Sequence, residues 1–195
     1  AIVLAVLCVV AVCGVAMGEE TTESLMDRAR NLYGVGDYQS ALILFQKTVE
    51  KEANNGEAWD YAGWCHRYLS NWASSEKNFQ TALTHLSGAS GKWVYVGLGE
   101  TYLGAPEYEK AIGSFKQALG LAPDDMELVV RSMKGIILAY ASLGDEEKVN
   151  EAIAGLRQKD PAAADLIGKD AQLLLEQAKK AKAEKPEPKK DEPLS

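Results

Sequence analysis

The chain holds only three cysteines and two histidines in 195 residues, and that scarcity excludes whole classes of chemistry. Cys8 and Cys13 lie inside an uncharged apolar opening segment, which leaves Cys65 alone in the remainder. A single thiol closes no internal disulfide and builds no zinc site. Cys65 is therefore read as a small buried apolar residue, with an intermolecular disulfide as the other use open to it. His66, three residues past Gly63 on the buried side of its helix, is expected to be a satisfied interior histidine. His85 falls near a helix end, where it can cap carbonyls. The patterns HExxH, CxxC, GxGxxG, GxSxG and the P-loop are all missing. No catalytic residue, metal ligand or cofactor site is assigned, and no enzyme activity is expected. Basic charge is short as well. With 21 Lys and Arg against 28 Asp and Glu, the formal net charge is −7, which argues against nucleic acid as a partner, because phosphate binding needs a concentration of cations.

What is present is enough for a packed domain: 47% of the residues are hydrophobic and 25% charged. Residues 1–18, AIVLAVLCVVAVCGVAMG, carry no charge and abut Glu19 and Glu20. A short apolar run ending in small residues has the character of a secretory signal, with a cleavage site at Ala16-Met17-Gly18. A retained membrane anchor is the alternative if further residues precede the run, since a spanning helix needs roughly 20 apolar residues. Either reading places the rest outside the cytoplasm: periplasmic, extracellular or membrane-anchored. Contact with a membrane is then expected only through residues 1–18, if uncleaved. At the other end, residues 185–195, KPEPKKDEPLS, combine three of the six prolines with dense charge and are expected to be a disordered tail.

Between these ends the sequence repeats. Residues 29–49, 63–83 and 99–119 align without gaps. In each a small residue (Ala29, Gly63, Gly99) is followed after nine positions by an aromatic (Tyr38, Trp72, Tyr108). A small residue comes three later (Ala41, Ser75, Ala111), and Phe four beyond that (Phe45, Phe79, Phe115). The offsets of 34 and 36 residues fall at the period of about 34 that marks a helix–turn–helix repeat array. With Trp59, Gly63 and Pro123 at further characteristic positions, the chain resembles the tetratricopeptide-repeat family. A worn fourth copy carries Gly144-Asp145 opposite Gly36-Asp37, with Tyr140, Val149, Ile153 and Pro161 in place, but Glu146 replaces the aromatic. Helices are expected at 22–34, 38–52, 56–69, 72–86, 91–104, 107–120, 125–143, 145–159 and 163–183.

The resemblance implies an all-α fold: a right-handed superhelical stack of antiparallel helix pairs, a solenoid, with a C-terminal capping helix. The repeats are expected at about 22–55, 56–89, 92–125 and 130–163, within a domain spanning 22–161. The capping helix at 163–183 would pack through Leu166, Ile167, Leu173, Leu174 and Ala178. A single pair cannot bury its own apolar face, so the stack is the stable unit.

Function is expected on the surface. In helix 56–69, Trp59, Ala62, Gly63 and His66 form one stripe, facing neighbouring helices, while Asp60, Tyr61, Trp64, Arg67 and Tyr68 form the opposite one. Three aromatics on a face expected to be solvated ask for a reason, and Trp, Tyr and Arg are the residue types of binding hot spots. The family's geometry, carried over position by position, adds Met26, Arg30 and Tyr33 from the first repeat and Trp93, Val96, Glu100 and Leu103 from the third. These twelve residues are the expected lining of a concave groove for a protein or peptide partner. Mutual packing or self-association is the alternative use for them. The lysine- and asparagine-rich clamp with which chaperone-docking members hold a terminal carboxylate is missing, since Met26, Arg30 and Asp60 stand there. An acidic C-terminal peptide is thus a poor candidate ligand. The expected role is a non-enzymatic scaffold or adaptor. The alternative is a structural subunit that works through its convex face or end helix.

Overall fold

A computed structural model describes residues 20–184 as helices joined by short turns. In chain order these are α1 (Thr22–Gly34), α2 (Tyr38–Lys51), α3 (Gly56–Tyr68), α4 (Trp72–His85), α5 (Lys92–Gly104), α6 (Tyr108–Leu121), α7 (Met126–Leu143), α8 (Glu146–Lys159) and α9 (Pro161–Ala183). A 3-10 turn at Gly88–Gly91 leads into α5. The leader expected at 1–18 and the tail expected at 185–195 lie outside the described residues. Among the described residues no helix is long and apolar enough to cross a membrane.

Helix ends fall within two residues of the expected ones because short-range signals set them. Side-chain oxygens of Thr21, Asp37, Asn55, Asp125, Asp145 and Asp160 each accept a backbone N–H bond in the turn that follows. That satisfies donors that no helical carbonyl can reach. Gly36 and Gly144 close the first and fourth intra-pair turns at φ +82° and +72°, which a residue without Cβ adopts freely.

The second helices begin on the repeat's marker residues: Tyr38, Trp72, Tyr108 and, in the worn copy, Glu146. This places Phe45, Phe79 and Phe115 at the same depth of α2, α4 and α6, and all three are fully buried. Glycines grip two of the rings from both sides. A Cβ added at Gly63 or Gly97 would stand 2.7 or 2.3 Å from the Phe79 ring, and at Gly99 or Gly135, 2.7 or 2.2 Å from the Phe115 ring. Each ring is thus held between the first helix of its own pair and that of the next, which locks successive repeats together. Ser75 takes the place of Ala41 and Ala111, and its buried hydroxyl is satisfied by the Gly63 carbonyl (2.9 Å) and the Thr101 hydroxyl (2.8 Å).

Gly113, exposed in mid-α6, has nothing within 4 Å of an added Cβ. Gly113→Ala is expected to stabilise the fold by about 0.5–1 kcal/mol through helix propensity. Gly135→Ala gains the same propensity but overpacks Phe115, and is expected to destabilise by about 1–3 kcal/mol. Urea unfolding of the two single variants checks this, and shifts of equal sign would remove the glycine grip.

Helix α9 packs across α7 and α8 and closes the stack. Its buried stripe is Ala164, Ile167, Ala171 and Leu175, set against Ile137, Ala141, Val149 and Leu156. This corrects the expected stripe. Ile167 is buried and Leu174 partly so, but Leu166 and Leu173 stand 66% and 58% exposed on the outer side. Spacings of three and four residues keep positions on one face of a helix, and 166 and 173 belong to a different face from 164 and 171.

Candidate functional site

Helix α3 packs on α5, and α5 on α7, skipping the helix between them in sequence. The first helices therefore form the tighter, concave side of the stack. Ionic bridges run along it. Arg30 on α1 holds both oxygens of Glu57 on α3 at 2.9 Å. Glu100 on α5 lies between Arg67 on α3 and Arg131 on α7, each 2.6 Å away. Lys92 reaches Asp125 at the start of α7 at 2.7 Å. The Arg30–Glu57 pair is solvent-exposed and contributes little. Glu100 is only 14% accessible, so its two pairs are screened less by water and salt.

The twelve residues assigned to the groove do not make one surface. Met26 (4% exposed), Trp64 (7%) and Val96 (0%) are buried, which corrects their expected place on an open groove. Val96 goes inside because α5 is enclosed by α3, α4, α6 and α7, so residues on all its sides are covered. The Trp64 ring meets Phe79 edge-on at 5.4 Å, and the Arg131 guanidinium covers it at 5.0 Å. Met26 belongs to the core between α1, α2 and α3 and floors a small cleft beside Arg30 and Glu57.

Tyr33 and Tyr61 pack into an aromatic cluster, with Tyr33 edge-on to Tyr38, Tyr61 and Tyr68 at 5.5, 5.2 and 6.0 Å. Tyr61 also stacks on Phe45 at 5.0 Å. Burial, reinforced by Tyr68, raises the Tyr33 phenol well above its ordinary range. Tyr68 stacks on Tyr38 at 4.2 Å yet stays 40% exposed. Trp93 is half-buried beneath Arg131 at 5.8 Å.

Two polar residues differ from expectation. Asp60 was expected on a solvated stripe, but its Oδ1 is sealed from solvent with no hydrogen-bond partner among the described residues. Burial pushes its carboxyl up to about 7, against the pull of the adjacent Trp64 indole and with a further push from Glu57. His66 is half-buried but not satisfied, since Nδ1 has no hydrogen-bond partner among the described residues, and burial lowers its pKa. Cys65 behaves as expected: it is free and fully buried, and burial lifts its thiol to about 12. Trp59 donates its indole N–H to the Ala53 carbonyl at 2.8 Å.

Of the assigned residues, Arg67, Glu100 and Leu103 do come together. They line an open pocket of about 450 Å³ between α3, α5 and α7, in the size range of small-ligand sites. Trp72, Arg131, Lys134 and Leu138 complete its walls, and the sequence reading left these out of the site. The signal for the three on α7 was available: the 38-residue step from Tyr108 to Glu146 carries Trp93, Val96 and Glu100 onto Arg131, Lys134 and Leu138. A larger hollow of about 730 Å³ lies at the α7–α8 turn beside α9. Its lysines are already engaged there, Lys148 with Asp145 and Lys182 with the Leu143 carbonyl.

No family model matches the chain. The bovine (Bos taurus) BBSome complex member BBS4 is 24% identical over 145 residues, 74% of this chain and 27% of that protein. The chain thus spans about a quarter of that relative's length. Among solved structures, a MamA protein superposes with a TM-score of 0.63 at 20% identity, covering 86% of this chain and 97% of that one. YrrB, described as a TPR protein with an unusual peptide-binding site, gives 0.60 at 17% identity over 86% and 89% of the two chains. An O-GlcNAc transferase mutant from Thermobaculum terrenum gives 0.61 at 20% identity over 71% of this chain and 26% of that one. These likenesses show the fold: a tetratricopeptide-repeat solenoid.

Proposed function

We propose that this chain is a non-enzymatic interaction scaffold, working outside the cytoplasm, that holds a segment of a partner protein in its concave groove. The carrying observation is the pocket between α3, α5 and α7, an opening with apolar walls on the concave side, larger than the cleft beside Met26, Arg30 and Glu57. Repeat solenoids present extended concave surfaces of this kind, and the description of YrrB names a peptide-binding site. The location rests on the composition of residues 1–18, and mass spectrometry of the native protein tests it by its mature N-terminus, expected at or near Glu19.

The groove is tested with Leu138→Glu, which puts a charge on the pocket wall whatever the occupant. Recovery of the partner in a pull-down from native extract is expected to fall by roughly tenfold or more, as for a hot-spot change. A folded Leu138→Glu chain that recovers its partner undiminished defeats the reading. Leu103→Gln gives a second, milder probe of the same wall.

One observation favours the alternative, a structural subunit working through its end helix: Leu166 and Leu173 stand exposed two turns apart on α9. On that reading a Leu166→Glu, Leu173→Glu double variant loses assembly while groove binding persists.

A further inference from the structure

The pocket between α3, α5 and α7 differs in charge from the molecule around it. The chain carries a net −7, yet the pocket is lined by three cations, Arg67, Arg131 and Lys134, and one carboxylate, Glu100. Glu100 is shared by both guanidiniums, so the three side chains together keep a positive charge. The Nε of Arg67 is sealed without a partner, and Lys134 is exposed and forms no ion pair among the described residues. Elsewhere on the concave side, Arg30 is matched by Glu57 and Lys92 by Asp125. The surplus is therefore local, and it sits beside apolar walls from Trp72, Leu103 and Leu138.

We propose that the occupant is an acidic segment of a partner polypeptide that seats one apolar side chain in this pocket, with carboxylates of the flanking residues on Lys134 and Arg131. The inference rests on the groove reading above and adds the partner's chemistry. Three arguments support it. A cationic rim attracts carboxylates, and the low exposure of Arg67 (26%) and Arg131 (34%) limits screening by solvent. The net negative surface repels an acidic partner elsewhere, so attraction is concentrated where the sign reverses. The pocket is open along the groove, which suits a passing chain whose side chain dips in, whereas a small molecule needs most of its surface enclosed. The carboxylates are side-chain groups in this scheme, consistent with the missing clamp for a terminal one.

The full chain is titrated, with fluorescence anisotropy as readout, against short amidated peptides carrying a central Phe flanked on both sides by Glu, Gln or Lys. The Glu peptide is expected to bind about tenfold more tightly than the Gln peptide, and the Lys peptide more weakly than either. Its advantage is expected to shrink as salt rises and to vanish in Lys134→Glu, which is exposed and leaves the core intact. Replacing the central Phe by Ala is expected to cost roughly another tenfold. Equal affinity for the Glu and Gln peptides, or an undiminished preference in Lys134→Glu, overturns the acidic assignment. The groove reading survives that result if Leu138→Glu still abolishes binding of the Gln peptide. Failure of all three peptides also overturns the acidic assignment, leaving the groove reading to the pull-down alone. Displacement of the Glu peptide by phosphatidylglycerol vesicles but not by neutral vesicles assigns the cations to a lipid surface and overturns it as well.

Discussion

Trp64→Ala is expected to destabilise the protein by about 3–5 kcal/mol, the cost of deleting a buried Trp that the surroundings cannot refill. The side chain is 7% exposed and meets Phe79 edge-on at 5.4 Å. The guanidiniums of Arg67 and Arg131 lie 5.8 and 5.0 Å from its ring centroid. Removing it opens a cavity where α3, α4, α5 and α7 converge, and it uncovers two cations that the ring now stabilises by roughly 0.5–2 kcal/mol each. Thermal unfolding followed by circular dichroism is expected to show a midpoint lower by about 10 °C, at roughly 2–4 °C per kcal/mol for a domain of this size. A loss below about 1 kcal/mol shows that the ring contributes as a surface residue does. The result also decides how the groove should be probed. Loss of a partner in Trp64→Ala reports a damaged junction between repeats, which is why Leu138 and Lys134 carry the binding tests.

The contrast between Trp64 and Tyr38 shows what a repeat sequence discloses. Tyr38, Trp72 and Tyr108 recur at one step of the period, and each opens a second helix. Caps such as Asp37, Asp125 and Asp145 act within three residues of themselves. The fold was legible because its determinants are local and copied. The site is not local. Helical periodicity correctly put Asp60, Tyr61, Trp64, Arg67 and Tyr68 together on α3, but it cannot say whether another repeat covers that side. Arg131, from the fourth repeat, covers Trp64 and shares Glu100 with Arg67. That repeat hid its contribution because α7 runs 18 residues where α5 runs 13, and the carry-over of groove positions stopped at the third copy. The stripe on α9 was misplaced for a related reason. Leu166 and Leu173 are as apolar as Ile167 and Leu175, and only the approach of α7 and α8 decides which pair goes inside.

Asp60→Asn is expected to make the protein more stable at pH 8 and to flatten its stability between about pH 4 and 7. In the folded chain, burial lifts the Asp60 carboxyl from an ordinary value near 3.8 to about 7, and Glu57 adds to the lift. Between those two values the folded state binds a proton that the unfolded chain has already released, so stability falls as pH rises through the window. The contribution is fully present below the unfolded value and gone once pH passes the folded one. At 1.36 kcal/mol per pKa unit, the wild type loses about 3–4 kcal/mol from this group across the window. An amide keeps the shape without the charge, and it still buries a polar group, so the net gain at pH 8 is expected to be about 2–3 kcal/mol. The capping carboxylates act elsewhere on the scale. Lys92 holds Asp125 below its ordinary pKa, and Lys148 does the same for Asp145. Depressed carboxylates contribute stability above the unfolded value and lose it as pH falls through the folded one, so their window lies below about pH 4. Urea titrations of wild type and Asp60→Asn across pH 3 to 8 therefore separate the two effects. If the two proteins keep the same slope between pH 4 and 7, Asp60 is ionised in the folded state, and its buried carboxyl is not the source of the pH dependence.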